Sequence, residues 1–139
     1  MANEFARNIT DATYSTTFTL PASASASTQQ SSGFDLGADT YKPENLEMEL
    51  SVPALSSTIV PDTRTVTYII ESSTTSNFAA ISQTIYTGTF TGASSAGVGA
   101  QVIRVRIPSN CARYVRSKVT FGASTTDGSA LSATSRLLF

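Results

Sequence analysis

The sequence predicts an all-β chain built as an eight-stranded β-sandwich or small barrel, and three observations carry that prediction. Ser and Thr number 21 each, together about a third of the chain. Long charged helix formers are scarce, with two Lys and five Glu, and His and Trp are absent. Thr, Val, Ile, Tyr and Phe dominate the patterned segments, which suits pleated strands. Finally, alternating apolar and polar runs of five to nine residues recur with turn residues between them, the spacing of a sandwich or barrel. Eight strands in two sheets is the count of a jelly roll. Spacing alone does not separate that arrangement from an immunoglobulin-like or up-and-down one.

At 139 residues the chain has the length of one domain. Residues 1–12 lack a clear period and read as an extended N-terminal arm, leaving 13–139 as a single β domain. No run approaches the roughly 18 apolar residues of a membrane span. The polar start MANEFARNITD contains no apolar signal core, so the sequon Asn8-Ile9-Thr10 is read as chance. The single cysteine, Cys111, has no internal disulfide partner, which fits a reducing compartment.

Residues 14–20 alternate Tyr14, Thr16, Phe18 and Leu20 against Ser15, Thr17 and Thr19, a strand ended by Pro21. The small-residue tract 22–32, ASASASTQQSS, is read as a loop. Residues 31–37, SSGFDLG, form a short strand punctuated by glycine. The cleanest strand is 45–52. It turns Leu46, Met48, Leu50 and Val52 inward and Glu47, Glu49 and Ser51 outward. Pro53 and Pro61 bracket a loop, with Pro61-Asp62 as its turn. Residues 64–71 follow, with Val66, Tyr68 and Ile70 on one face. Ile69 on the other face predicts cover on both sides or a subunit contact. Residues 76–81 fit one helical turn capped by Ser76 or Asn77. Residues 83–90 read as a strand and 92–100 as a flexible hairpin loop. Asp127-Gly128 marks a tight hairpin turn, and 131–139 a final strand.

The most informative stretch is 101–121, QVIRVRIPSNCARYVRSKVTF. Ile103, Val105 and Ile107 share one face and Arg104 and Arg106 the other. After a Pro-Ser-Asn turn, Val115, Val119 and Phe121 share one face and Arg116 and Lys118 the other. Pairing of these two strands with apolar faces aligned would line four cations on one outer surface. Five of the nine Lys and Arg residues lie between Arg104 and Lys118. The net charge is −1, yet residues 1–71 hold nine acids and three bases while 72–139 hold one acid and six bases. Either acidic and basic strands pair within a sheet, or the subunit is dipolar and meets copies of itself or a partner.

The candidate chemistries are thin. Without His, the usual Ser-His and Cys-His nucleophile pairs are excluded. Cys111 near Arg113 is read as a small residue packed under a turn. Glu47 and Glu49, two apart on one strand face, do not oppose each other across a cleft as a glycosidase pair does. They are read as a solvent face or a subunit contact. Asp35 and Asp39 flank Gly37 without the spacing of a calcium loop, and no zinc-type His or Cys cluster exists. The Gly-rich loop 92–99 lacks the Gly-Lys-Ser/Thr ending of a phosphate loop. No catalytic, metal or cofactor residue is therefore assigned. The cationic face raises single-strand nucleic acid as a partner. Only Tyr114 offers a stacking ring there, and the isoelectric point near 5.2 is low for such a domain. Carbohydrate binding usually needs exposed aromatic platforms, and Trp is absent.

Three features resemble a known family, the small jelly-roll capsid cement (decoration) proteins of short-tailed bacteriophages. They are the Ser/Thr-rich region leading into Gly33-Phe34-Asp35-Leu36-Gly37, the segment Val102-Ile103-Arg104-Val105-Arg106-Ile107-Pro108, and Cys111-Ala112-Arg113-Tyr114-Val115-Arg116 followed by Thr120 and a Gly-rich hairpin. The resemblance spans most of the chain in order, with no catalytic signature. It implies a jelly-roll-like, non-enzymatic structural protein of the virion, placed on the outer capsid surface. Such a protein binds the major capsid protein as a homodimer or homotrimer, with no membrane and no cofactor. Two contact zones are expected. One is the arm, with Phe5 and Ile9 as apolar anchors. The other is the cationic face of Arg104, Arg106, Arg113, Arg116 and Lys118, where charge reversal at Arg104 and Arg116 is expected to weaken attachment and spare the fold. The alternatives are another virion appendage, such as a tail or receptor-binding module, or a single-strand nucleic-acid binder.

Overall fold

The computed structural model describes residues 14–22, 27–38, 45–123 and 125–139. The described residues form nine strands and no helix. The strands are β1 (Ser15–Thr19), β2 (Thr28–Gln30), β3 (Phe34–Asp35), β4 (Glu47–Val52), β5 (Thr65–Ser73), β6 (Gln83–Thr91), β7 (Gln101–Arg106), β8 (Tyr114–Phe121) and β9 (Ser132–Leu138). They make two antiparallel sheets. One has the order β1-β9-β4-β7; the other has the order β2-β8-β5-β6, with β3 also pairing β8.

Alternation decides which face each strand buries. Met48, Leu50 and Val52 of β4, Val66, Tyr68 and Ile70 of β5, and Val115, Val119 and Phe121 of β8 all enter one apolar cluster. Each fully buried side chain of this size contributes about 1.5–3 kcal/mol. The two sheets share this core, and one polar contact crosses it. Ser117 of β8 and Ser135 of β9 are buried and hydrogen-bonded through their hydroxyls at 2.7 Å. Ser31 steadies the same point, its Oγ accepting from the Ser117 amide at 3.0 Å.

Several expectations need correction. The strands number nine among the described residues, because the predicted loop at 22–32 contains β2, which lies along β8 with Gln30 opposite Lys118. Residues 76–81 do not form a helical turn. Asn77 Oδ1 accepts from the Ala79 amide at 3.1 Å, and Phe78 takes a left-handed φ of 53°, which a helix cannot continue.

The hairpins predicted at 92–100 and at Asp127-Gly128 are instead crossings between sheets, since β6 and β8 belong to one sheet and β7 and β9 to the other. The 92–100 segment is tied down rather than loose. Ala93 and Gly97 bridge each other, and Val98 bridges Leu55. Gly97 is required there. Its φ is 70°, and a Cβ would lie 2.0 Å from the Leu55 carbonyl oxygen. Asp127 Oδ1 accepts from the Ser129 amide at 2.8 Å, while Gly128 donates to the Pro21 carbonyl at 2.9 Å and so anchors the crossing to the end of β1.

Candidate functional site

The cationic strands β7 and β8 do not pair. β7 lies on β4, with Glu49 opposite Arg104 and Glu47 opposite Arg106. β8 lies on β5, with Glu71 opposite Arg116 and Ile69 opposite Lys118. The single cationic face is therefore corrected to two clusters on the outer faces of opposite sheets. Residues 107–113 are long enough to arch across the roughly 10 Å between packed sheets, so nothing forces β7 and β8 into a hairpin. Each strand instead lies beside one that carries a glutamate in register, and opposite charges in register favour that pairing.

The two clusters share one design. On the first sheet, Glu49 sits between β9 and β7, with Arg136 in register on one side and Arg104 on the other. Arg136 donates to Glu49 Oε1 at 2.6 Å, and Arg104 Nε donates to Oε2. The expected solvent position of Glu49 is overturned, because the carboxylate is only 2 % exposed. Two guanidinium groups hold it, one on each oxygen. On the second sheet, Arg116 donates to Glu71 Oε1 at 2.8 Å and Lys118 donates to Oε2 at 3.0 Å.

This second cluster is drier. Arg116 is 11 % exposed, against 47 % for Arg104. The cause is the β5–β6 connection, which folds back over the sheet. It lays the Phe78 ring on the Arg116 guanidinium at 4.2 Å, and the same ring packs against Gly33. Charge reversal at Arg104 or Arg116 would set an acid against a buried glutamate, so the expectation that such variants spare the fold is corrected as well.

Arg113 stands apart. It grips Asp35 with two hydrogen bonds of 2.8 Å, and that carboxylate raises the guanidinium above its ordinary value. The pair is exposed and adds little stability. Arg106 is exposed at the end of β7. Phe5, Ile9 and Asp39 lie outside the described residues. Arg136 was missed, although its outward place in the alternation of residues 131–139 was legible.

The chemistry such a surface supports is limited. Cys111 is buried in the core, donating weakly to the Ala112 carbonyl at 3.4 Å, not exposed beside Arg113. Burial and the neighbouring Tyr86 push the Tyr68 phenol well above its ordinary range, so it stays neutral. Among the described residues no three His, Cys, Asp or Glu side chains gather to hold a metal. A recess of about 500 Å³ is lined by Thr74, Ser82, Gln83, Asn110 and Ala112, none of them titratable. Compared with known proteins, the chain matches no family model and no curated protein.

Proposed function

We propose that this chain is a structural virion protein. It would be a cement protein that binds the outer surface of an icosahedral phage head as a homo-oligomer and stabilises contacts between major capsid protein subunits. The observation that carries the reading is the strand order. Sheets ordered β1-β9-β4-β7 and β2-β8-β5-β6, with β3 also on β8 and only β5–β6 and β2–β3 consecutive within a sheet, support a jelly-roll-like reading, an arrangement recurrent in viral capsid domains. The sequence resemblance points to the same class. The nucleic-acid alternative loses its support, since the continuous basic face on which it rested is divided and paired with carboxylates.

The mechanism is energetic. Surface buried only in the assembled shell adds binding free energy to that state alone, which makes shell opening less favourable. Repeated shell copies add avidity. The contacts we assign are Phe5 and Ile9 on the arm, with the more exposed cations Arg104, Arg106 and Arg113. Arg116 and Lys118 serve mainly to neutralise Glu71.

Co-sedimentation with empty capsids of the parent phage tests the reading. Saturable binding at a fixed ratio to capsid subunits is expected, and a Phe5→Ser, Ile9→Ser double variant should bind more weakly with an unchanged fold. Wild-type protein that stays in the supernatant would overturn it.

A further inference from the structure

Among the described residues both sheets end in open edges, and three of those edges carry devices that keep edges from pairing. β1 has five residues. The edge along β8 is broken into β2 and β3, of three and two residues. β7 carries Arg104 and Arg106 and is soon followed by Pro108. β6 carries none of these. It is nine residues long, QTIYTGTFT, without charge or proline, and no strand among the described residues pairs with its far side. Its core-facing aromatics, Tyr86 and Phe90, are only partly buried. An edge of this kind is a template for another strand.

We propose that β6 pairs antiparallel with β6 of a second copy about a two-fold axis at Gly88, joining two five-stranded sheets into one. The residues of β6 itself point to a second copy as the occupant. A strand without charge does not select an acidic or basic partner, and a two-fold contact needs a self-complementary sequence. Centred on Gly88, the register sets Thr87 opposite the partner's Thr89, both on the outer face. It sets Tyr86 opposite the partner's Phe90, both on the core face. Thr–Thr and aromatic pairs are favourable cross-strand neighbours.

The bulge beside Ile70 and Glu71 limits the alternatives, since it switches the facing of β6 at Ile85. The Gly88 register gives the longest match of faces. At the axis the backbones meet without side chains, and the Tyr86 hydroxyl already fills the space beside Gly88, 2.2 Å from where a Cβ would lie. On the outer face, Thr28, Thr120, Thr67 and Thr89 form one row across four strands. Hydroxyl contacts of 2.9 Å join Thr28 to Thr120 and of 3.1 Å join Thr67 to Thr89. The partner's Thr87 extends that row.

The test is the mass of the purified protein by light scattering across a dilution series, together with hydrogen exchange of residues 86–90. No capsid is present, so the outcome is independent of the cement reading. Wild type should be a dimer that dissociates on dilution, with the β6 amides protected in the dimer. A Thr87→Lys, Thr89→Lys variant sets lysines against lysines and should halve the mass with unchanged circular dichroism. A Thr87→Lys, Thr89→Glu variant sets each lysine against a glutamate only in the Gly88 register and should restore the dimer. Three results would overturn the proposal: wild type monomeric at every concentration, a double-lysine variant that stays dimeric, or β6 amides that exchange equally fast in the dimer and in the diluted monomer.

Discussion

Replacing Glu71 with Gln leaves Arg116 without its carboxylate in a place water scarcely reaches. The guanidinium is 11 % exposed, and the Phe78 ring lies on it at 4.2 Å. Removing one member of a buried ion pair typically costs about 3–5 kcal/mol, because the surviving charge stays desolvated. The Gln oxygen still accepts one hydrogen bond, so the expected cost is about 3 kcal/mol, the lower end of that range. Glu49→Gln is the matched control. Its two cations, Arg104 and Arg136, are 47 % and 31 % exposed, and both can rehydrate. That loss should be about 1–2 kcal/mol, nearer the behaviour of solvent-exposed pairs. Urea unfolding is the assay, since guanidinium chloride would itself screen the pairs. The midpoints should fall at unchanged m-value. Added salt should shrink the Glu49→Gln cost and leave the Glu71→Gln cost in place. A Glu49→Gln loss equal to or larger than that of Glu71→Gln would refute the argument that hydration of the surviving cation sets the cost.

Single Ser117→Ala or Ser135→Ala substitutions should each cost about 1–3 kcal/mol by stranding a buried hydroxyl, while the double variant should cost less than the sum. A double-mutant cycle by thermal melting checks this, and additive losses would show that the 2.7 Å contact contributes nothing. Gly97→Ala should destabilise by about 2 kcal/mol or more, from strain and overlap with the Leu55 carbonyl oxygen. Gly99→Ala, with open space around its Cβ, should stay within about 0.5 kcal/mol, and equal melting temperatures for the two variants would contradict the geometry.

The predicted and observed elements agree where the pattern is local. The alternation over Leu46, Met48, Leu50 and Val52 names β4 and its core face, and residues 83–90, 101–107 and 131–139 fall on β6, β7 and β9. The reading failed where facing depends on a distant strand. Glu49 is outward by parity and buried all the same, because Arg104 and Arg136 arrive from β7 and β9. Residues 76–81 read as a helical turn because a window of Ser, Asn, Phe and Ala cannot reveal that Phe78 will close over Arg116.

By itself the sequence determined the all-β class, the inward faces of β4, β5, β7 and β8 and the surplus of bases after residue 71. These follow from side-chain parity and composition, which every short window carries. Only the tertiary structure decided that β7 and β8 belong to opposite sheets, that each cluster of cations neutralises its own buried glutamate, and that β6, among the described residues, lies at the edge of its sheet. Strand pairing joins residues as far apart as Glu49 and Arg136. Alternation, the same in every strand, does not say which partner will lie alongside.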